Sequence, residues 1–413
     1  MSTKKLNIYR EPITDNSIAR EQVHSYHPST NSFENNDIFI IELNQEDVLF
    51  SFFESYLRIE GNFTKTLGDP ANDVIQLTHN LPTFLFEYIA FEHNGTEIER
   101  VREPGLTSLI RTLLQLNDVE CKTLEIAGLK WPPEGDLPTV DANNNFMFQI
   151  PLSHIFGLFR DYNHIMQGRF KFRFVRSRTD SNCYKATSNV KTKPSSAKFA
   201  IKTVTLLAKH VYPSPTIKMK LLDGLNKNSN ILVPFRKWSF YELPSMRKGN
   251  KEIWSVTSTS NRGRPQYVIV GFQTKRKDHV ASDCTFFDHL NIVDLKVYLN
   301  SYCYPFESMN LNFAKENYVE LYKMYTEFQP YIWESSRKKP LMDFKSFKER
   351  SLFVVDTTKN NDEEAAPSTS CEVRIEIQSD MDFPPDTKAY CLLIQESMYA
   401  YKPLSGEVSI IIN

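Results

Sequence analysis

The residues best equipped for chemistry sit close together late in the chain: His279, Asp283, Cys284, Asp288 and His289. A thiol becomes a nucleophile when a nearby imidazole takes its proton, and the same residue types ligate metals. Partners of that kind usually converge from distant parts of a chain, however, and the stretch reads as a polar loop ahead of a strand. Glu372, Glu376, Asp380 and Asp382 offer carboxylates of the sort that glycosidases pair across a cleft. Here they alternate with apolar residues or follow them, which marks solvated strand and loop positions. Arg169, Lys171 and Arg173, with Arg176 and Arg178 beyond, present a basic strand face. Such a face would touch phosphates in a salt-sensitive, sequence-blind way, or simply meet solvent or another subunit. Lys275-Arg276-Lys277 and Arg337-Lys338-Lys339 have the composition of nuclear-import signals and equally of charged loops. The chain has no phosphate-binding loop, no GxGxxG, GxSxG or HExxH, and its nine histidines form no HxH pair. No catalytic, cofactor-binding or metal residue is expected, and no cofactor.

Composition narrows the class. The chain has 413 residues, 41% hydrophobic and 13% aromatic, with only 13 glycines. That length suffices for two domains with cores of their own, and that mix suits half-buried strands. A net charge of −1 argues against a dedicated nucleic-acid or membrane-surface binder. Six scattered cysteines, Cys121, Cys183, Cys284, Cys303, Cys371 and Cys391, read as free thiols of a reducing compartment. The start, MSTKKLNIYREPITD, lacks the apolar core of a signal peptide, and no apolar run reaches the length of a membrane span. The acceptor triplets at Asn62 and Asn94 are expected to stay unmodified.

The elements that position these residues recur. Phe287–Phe328 reads as a strand from Ile292 to Leu299, a turn at Asn300-Ser301, a returning strand and an amphipathic helix with Tyr318, Leu321, Tyr322, Tyr325 and Phe328 on one face. Phe84–Leu116 reads the same way, with its turn at Asn94-Gly95 and a helix opening near Leu106 behind Pro104-Gly105. The echo continues. Arg169–Val175, where Phe170, Phe172 and Phe174 alternate with cations, is followed by a loop, the apolar strand Phe199–Tyr212 and a proline. Glu372–Ile377, Ala389–Tyr401 and Pro403 repeat that order. Loops fill the intervals at 117–145, 177–196, 258–264 and 357–370. The second half opens with Ile217–Leu222 and Ile231–Phe240 as further strand candidates. About eight strands per half, without regular strand–helix alternation, predicts an all-β chain of two tandem eight-stranded antiparallel jelly rolls with short helices in the connections. Residues 1–35 are expected to form an arm, 36–213 the first jelly roll and 214–413 the second.

Several stretches carry a resemblance: FFESYLRIEGNFT, FEYIAFEHNGTEIERV, FQIPLSHIFGLFRDY, YVIVGFQT, FDHLNIVDLKVYLNSYCYP and DTKAYCLLIQESMYAY. Their order and spacing across residues 37–403 resemble the double jelly-roll major capsid proteins of double-stranded DNA viruses. Among these the chain looks most like the capsid-type proteins of Maverick/Polinton and adintovirus-like insect elements. The resemblance implies a non-enzymatic homotrimer whose six jelly rolls make a pseudo-hexameric capsomer. It also implies neighbouring capsomers and minor capsid or penton proteins as partners, at most weak contact with packaged DNA, and a place in the virion after synthesis in the host cytoplasm, with assembly in the nucleus as one route. The readings that compete with it are a carbohydrate- or receptor-binding β-sandwich and an enzyme on the same scaffold.

Overall fold

The computed structural model describes residues 16–412 except 46, 69–72, 134–136, 138, 188–194, 227–228, 258–262, 330–338 and 359–370. Parts of the expected arm and of several expected loops, and Arg337-Lys338, therefore lie outside the described residues. The first half contains β1 (Ile18–Tyr26), β2 (Ile38–Leu43), β3 (Leu49–Thr66), β4 (Val74–Leu77), β5 (Phe86–His93), β6 (Thr96–Arg102), β7 (Asn145–Pro151), β8 (Phe170–Arg176), β9 (Tyr184–Thr187) and β10 (Ser196–Pro213). The second contains β11 (Ile231–Leu243), β12 (Lys251–Thr257), β13 (Pro265–Thr274), β14 (Ile292–Leu299), β15 (Tyr302–Tyr304), β16 (Phe353–Asp356), β17 (Val373–Ser379), β18 (Thr387–Tyr401) and β19 (Val408–Ile412).

Their pairing is antiparallel and identical in the two halves. The first half builds sheets in the order β1-β10-β3-β7 and β2-β8-β5-β6, and the second β11-β18-β13-β16 and β12-β17-β14-β15. The ribbon β4-β9 and the strand β19, which pairs with β18, are additions. Without them each half has eight strands, connected 1-8-3-6 in one sheet and 2-7-4-5 in the other. That is the jelly-roll wiring, in which the first strand of the sandwich pairs with the last.

Side-chain periodicity explains the layers. In β8 the rings of Phe170, Phe172 and Phe174 are buried while Lys171 and Arg173 face outward. Phe172 meets Phe52, Phe91, Phe156 and Phe159 with ring centroids 5.1–6.1 Å apart, so both sheets contribute to one aromatic core. The run from Tyr267 to Gln273 in β13 is buried throughout, as expected of a central strand covered on both faces. The β5–β6 hairpin turns on Asn94 (φ 47°) and Gly95 (φ 82°), the left-handed pair that a two-residue hairpin loop requires. The helix that follows, Pro104–Gln115, is buried along its whole length.

Two expectations change. Residues 1–35 do not form an arm throughout: Ile18–Tyr26 is the first strand of the first jelly roll, pairing with β10 from Ile18 opposite Pro213 to Tyr26 opposite Leu206. Its sequence, IAREQVHSY, is exposed on both faces and shows none of the apolar alternation that reveals a half-buried strand. Ile217–Leu222 is no strand either. It lies in a helix, Pro215–Asn226, that links the sandwiches and starts with proline, a residue suited to the first helical turn. No helix among the described residues is long and apolar enough to cross a membrane.

Replacing Phe172 with alanine is expected to cost about 3–5 kcal/mol, read from the denaturant midpoint. The exposed Met147, changed the same way, should move stability by no more than about 0.5 kcal/mol.

Candidate assembly interface

The clusters singled out for chemistry are held by structural partners. Cys284 is buried, its Sγ donates to the Asn182 carbonyl at 3.2 Å, and burial pushes its thiol well above the ordinary range. His289 stacks on Phe313 at 4.4 Å and accepts the Asn291 amide, and burial lowers its pKa. Asp283 caps the amide and hydroxyl of Thr285 at 2.8 and 2.7 Å, Asp288 binds Arg276 at 2.6 Å, and His279 is exposed. No group of three His, Cys, Asp or Glu among the described residues is placed to hold a metal ion. Of the carboxylates, Glu372, Asp380 and Asp382 are exposed, while Glu376 meets Arg374 at 3.4 Å.

The basic face is neutralised in place. Lys171 reaches Glu42 at 3.2 Å, Arg173 reaches Glu92 at 2.9 Å and Arg178 reaches Glu87 at 3.4 Å. Arg176 is fully buried between Asp180 and the Leu85 carbonyl, both at 2.7 Å. Lys275-Arg276-Lys277 is likewise no free basic run, for each of its cations meets a carboxylate.

The concentrated electrostatics lie where the two sandwiches meet. On β6, Glu99 is buried and accepts the amides of Gly157 and Leu158, each at 2.9 Å; burial still leaves its pKa raised. Gly157 sits where a Cβ would collide with the Arg236 carbonyl of β11, so glycine sets how closely the halves approach. Arg111, in the helix Pro104–Gln115, donates to the carbonyls of Ser153, His154, Ile155 and Phe156 and lies 5.4 Å from the ring of Trp238 in β11. Burial lowers its pKa to about 10. The Arg236 amide donates to Asp161 at 2.8 Å, and its guanidinium donates to the Gln329 carbonyl at 2.9 Å. Lys277 bridges Glu103 at 2.9 Å and Glu242 at 2.6 Å. Tyr325 donates to the Leu113 carbonyl at 2.8 Å. Sequence reasoning missed this junction because its members are scattered from Glu99 to Gln329.

Equivalent elements of the two repeats differ in cover. β11 buries Val233, Phe235, Arg236 and Trp238 against its surroundings, whereas β1, its counterpart, is exposed along nearly its whole length, with Val23 at 61%. The helix Pro104–Gln115 is wholly buried; its counterpart Val319–Thr326 buries only Leu321 and Tyr325. Beside that second helix, Phe306 stands 88% exposed at the edge of a cleft of about 300 Å³ shared with Tyr304 and Met324.

Two outcomes are expected. Maleimide labelling of the folded single chain followed by peptide mass spectrometry should modify Cys303 alone, since the other five thiols are buried. Lys277→Met should cost about 3 kcal/mol at neutral pH by leaving two acids facing each other, as a comparison of unfolding curves would read. Burial raises the Glu103 pKa, so the folded state favours its neutral form. The deficit should therefore shrink as pH falls, starting above the ordinary glutamate range.

Comparison with known proteins supports the wiring. No curated protein sequence matches the chain. Among solved structures, the Sputnik virophage structure superimposes with a TM-score of 0.65 at 10% identity, covering 100% of this chain and 92% of that one. The mavirus major capsid protein gives 0.60 at 11% identity, covering 100% and 93%. The Faustovirus major capsid protein gives 0.62 at 9%, covering 95% and 92%. At such identities the likeness speaks for the fold. The family model described as a double jelly roll-like domain matches residues 75–398, and with the duplicated 1-8-3-6 and 2-7-4-5 sheets this places the chain in the double jelly roll-like domain family.

Proposed function

We propose that the chain is a major capsid subunit of a DNA virus, a structural tile without catalytic work, and that three copies close into a ring of six sandwiches. The observation that carries this is the unequal cover of equivalent elements. Within one chain, the β6 side of the first jelly roll covers β11 of the second. The matching surfaces, the β15 side of the second jelly roll and β1 of the first, stand open. A contact that repeats the internal junction between chains would cover both. It is heterologous, and such contacts either run on as filaments or close into a ring. Two similar sandwiches per chain favour closure with three chains, because six near-equal steps complete a turn. A pseudo-hexagonal tile of that kind packs beside neighbouring capsomers, with penton and minor proteins at the vertices, into an icosahedral shell. The named relatives are capsid proteins or come from a virus particle. Surface cations already paired with carboxylates fit a shell that touches its DNA weakly and without sequence preference. The virion is the proposed location, with synthesis in the host cytoplasm.

Full-length protein should sediment as a trimer, and concentrated samples should show hexagonal arrays under the electron microscope. Val23→Asp and Phe306→Asp, each at an exposed position, should leave Tm within about 2 °C yet yield monomers. A wild-type chain that stays monomeric at all concentrations, or variants that still form trimers, would sink the proposed ring.

A further inference from the structure

We propose that the cleft beneath the linker helix Pro215–Asn226 binds a long-chain monocarboxylate, that is, a fatty acid. This rests on the cleft alone and is independent of the capsid reading. The cleft lies where the first sandwich, the linker helix and the start of the second meet, and has a volume of about 410 Å³, within the range of small-molecule sites. Its walls are apolar: Leu49 and Met166 from the first half, Leu221 from the helix, Ile231 and Tyr401 from the second.

Among the described residues no side chain fills this space. Gly224 faces it from the helix, and a Cβ there would meet nothing within 4 Å. Leu221 remains 37% exposed. Water gains little in an apolar cleft, whereas a run of methylenes would fill it. The polar end of the ligand follows from charge. Among the described residues the lining contains Lys220 and His164 and no carboxylate. Lys220 is exposed and is found in no ion pair among the described residues, so its ammonium stands at the rim, available to an anion. His164, also in the lining, lies against Tyr162, ring centroids 5.1 Å apart. An apolar slot with a cation at its mouth and no competing acid fits an acyl chain ending in a carboxylate. An amine of the same length would meet the wrong charge.

The test is calorimetric titration of the full-length chain with dodecanoate below its micelle concentration, with dodecanol and dodecylamine as comparisons. Saturable binding of one dodecanoate per chain is expected. Gly224→Leu, a better helix former that fills the space, should weaken binding at least about tenfold while Tm holds or rises. Lys220→Glu should weaken dodecanoate about fivefold, the worth of an exposed ion pair, and leave dodecanol unchanged. The proposal is overturned by absence of saturable binding, by indifference to Gly224→Leu, or by dodecylamine binding as well as the acid. Binding that is lost when copies associate would overturn it too, in favour of a second copy as the occupant.

Discussion

Charge buried between two sandwiches is the constraint on which the rest of the molecule depends. Glu99, Arg111, Arg236 and Lys277 are held in or at the edge of a low-dielectric seam, where an unpaired ion is far costlier than in water. The Arg236 amide and the Lys277 ammonium find their partners only when the two jelly rolls sit at one mutual placement, whereas Glu99 and Arg111 are held by groups of the first jelly roll. The Arg236 amide of the second half needs Asp161 of the first, and Lys277 needs acids from both halves. An apolar seam would tolerate sliding, because burial of hydrocarbon is nearly indifferent to register. A polar seam does not. The duplication thus gives two sandwiches joined by polar contacts whose partners come from both halves.

The cores answer to a looser rule. Aromatic rings fill the first sandwich from both sheets, and β13 with β18 fill the second with branched aliphatics. Volume and alternation suffice there, and this accounts for the poor residue identity between the two halves and the 9–11% identity to the solved relatives. What persists is wiring: which strand pairs with which, and where the hairpin with its following helix recurs.

Much of that wiring was legible. The hairpin-and-helix module, the alternating Phe170–Phe174 strand and the apolar closing strands each announced themselves by period and turn residues, and their repetition gave away the duplication. β1 was not legible, because a strand exposed on both faces has no periodic burial to display. Ile217–Leu222 misled for the complementary reason, since a short apolar run is ambiguous until its flanking Pro215 is weighed. In the loop from His279 to His289 the thiol is sealed and the carboxylates of Asp283 and Asp288 are occupied. The seam that matters was hidden by distance along the chain, which no local pattern can bridge.

The pairing of β1 with β10 has a further consequence, in time rather than in space. Ile18 meets Pro213, so the first sandwich cannot close its sheet while the chain is growing until just over half of it has been made. Sheets that join distant segments form slowly. During that interval β3 lacks the long neighbour it will share along most of its length, presenting an open edge to any other nascent chain nearby. The same polar, two-sided character that hides β1 in the sequence keeps it soluble while it waits.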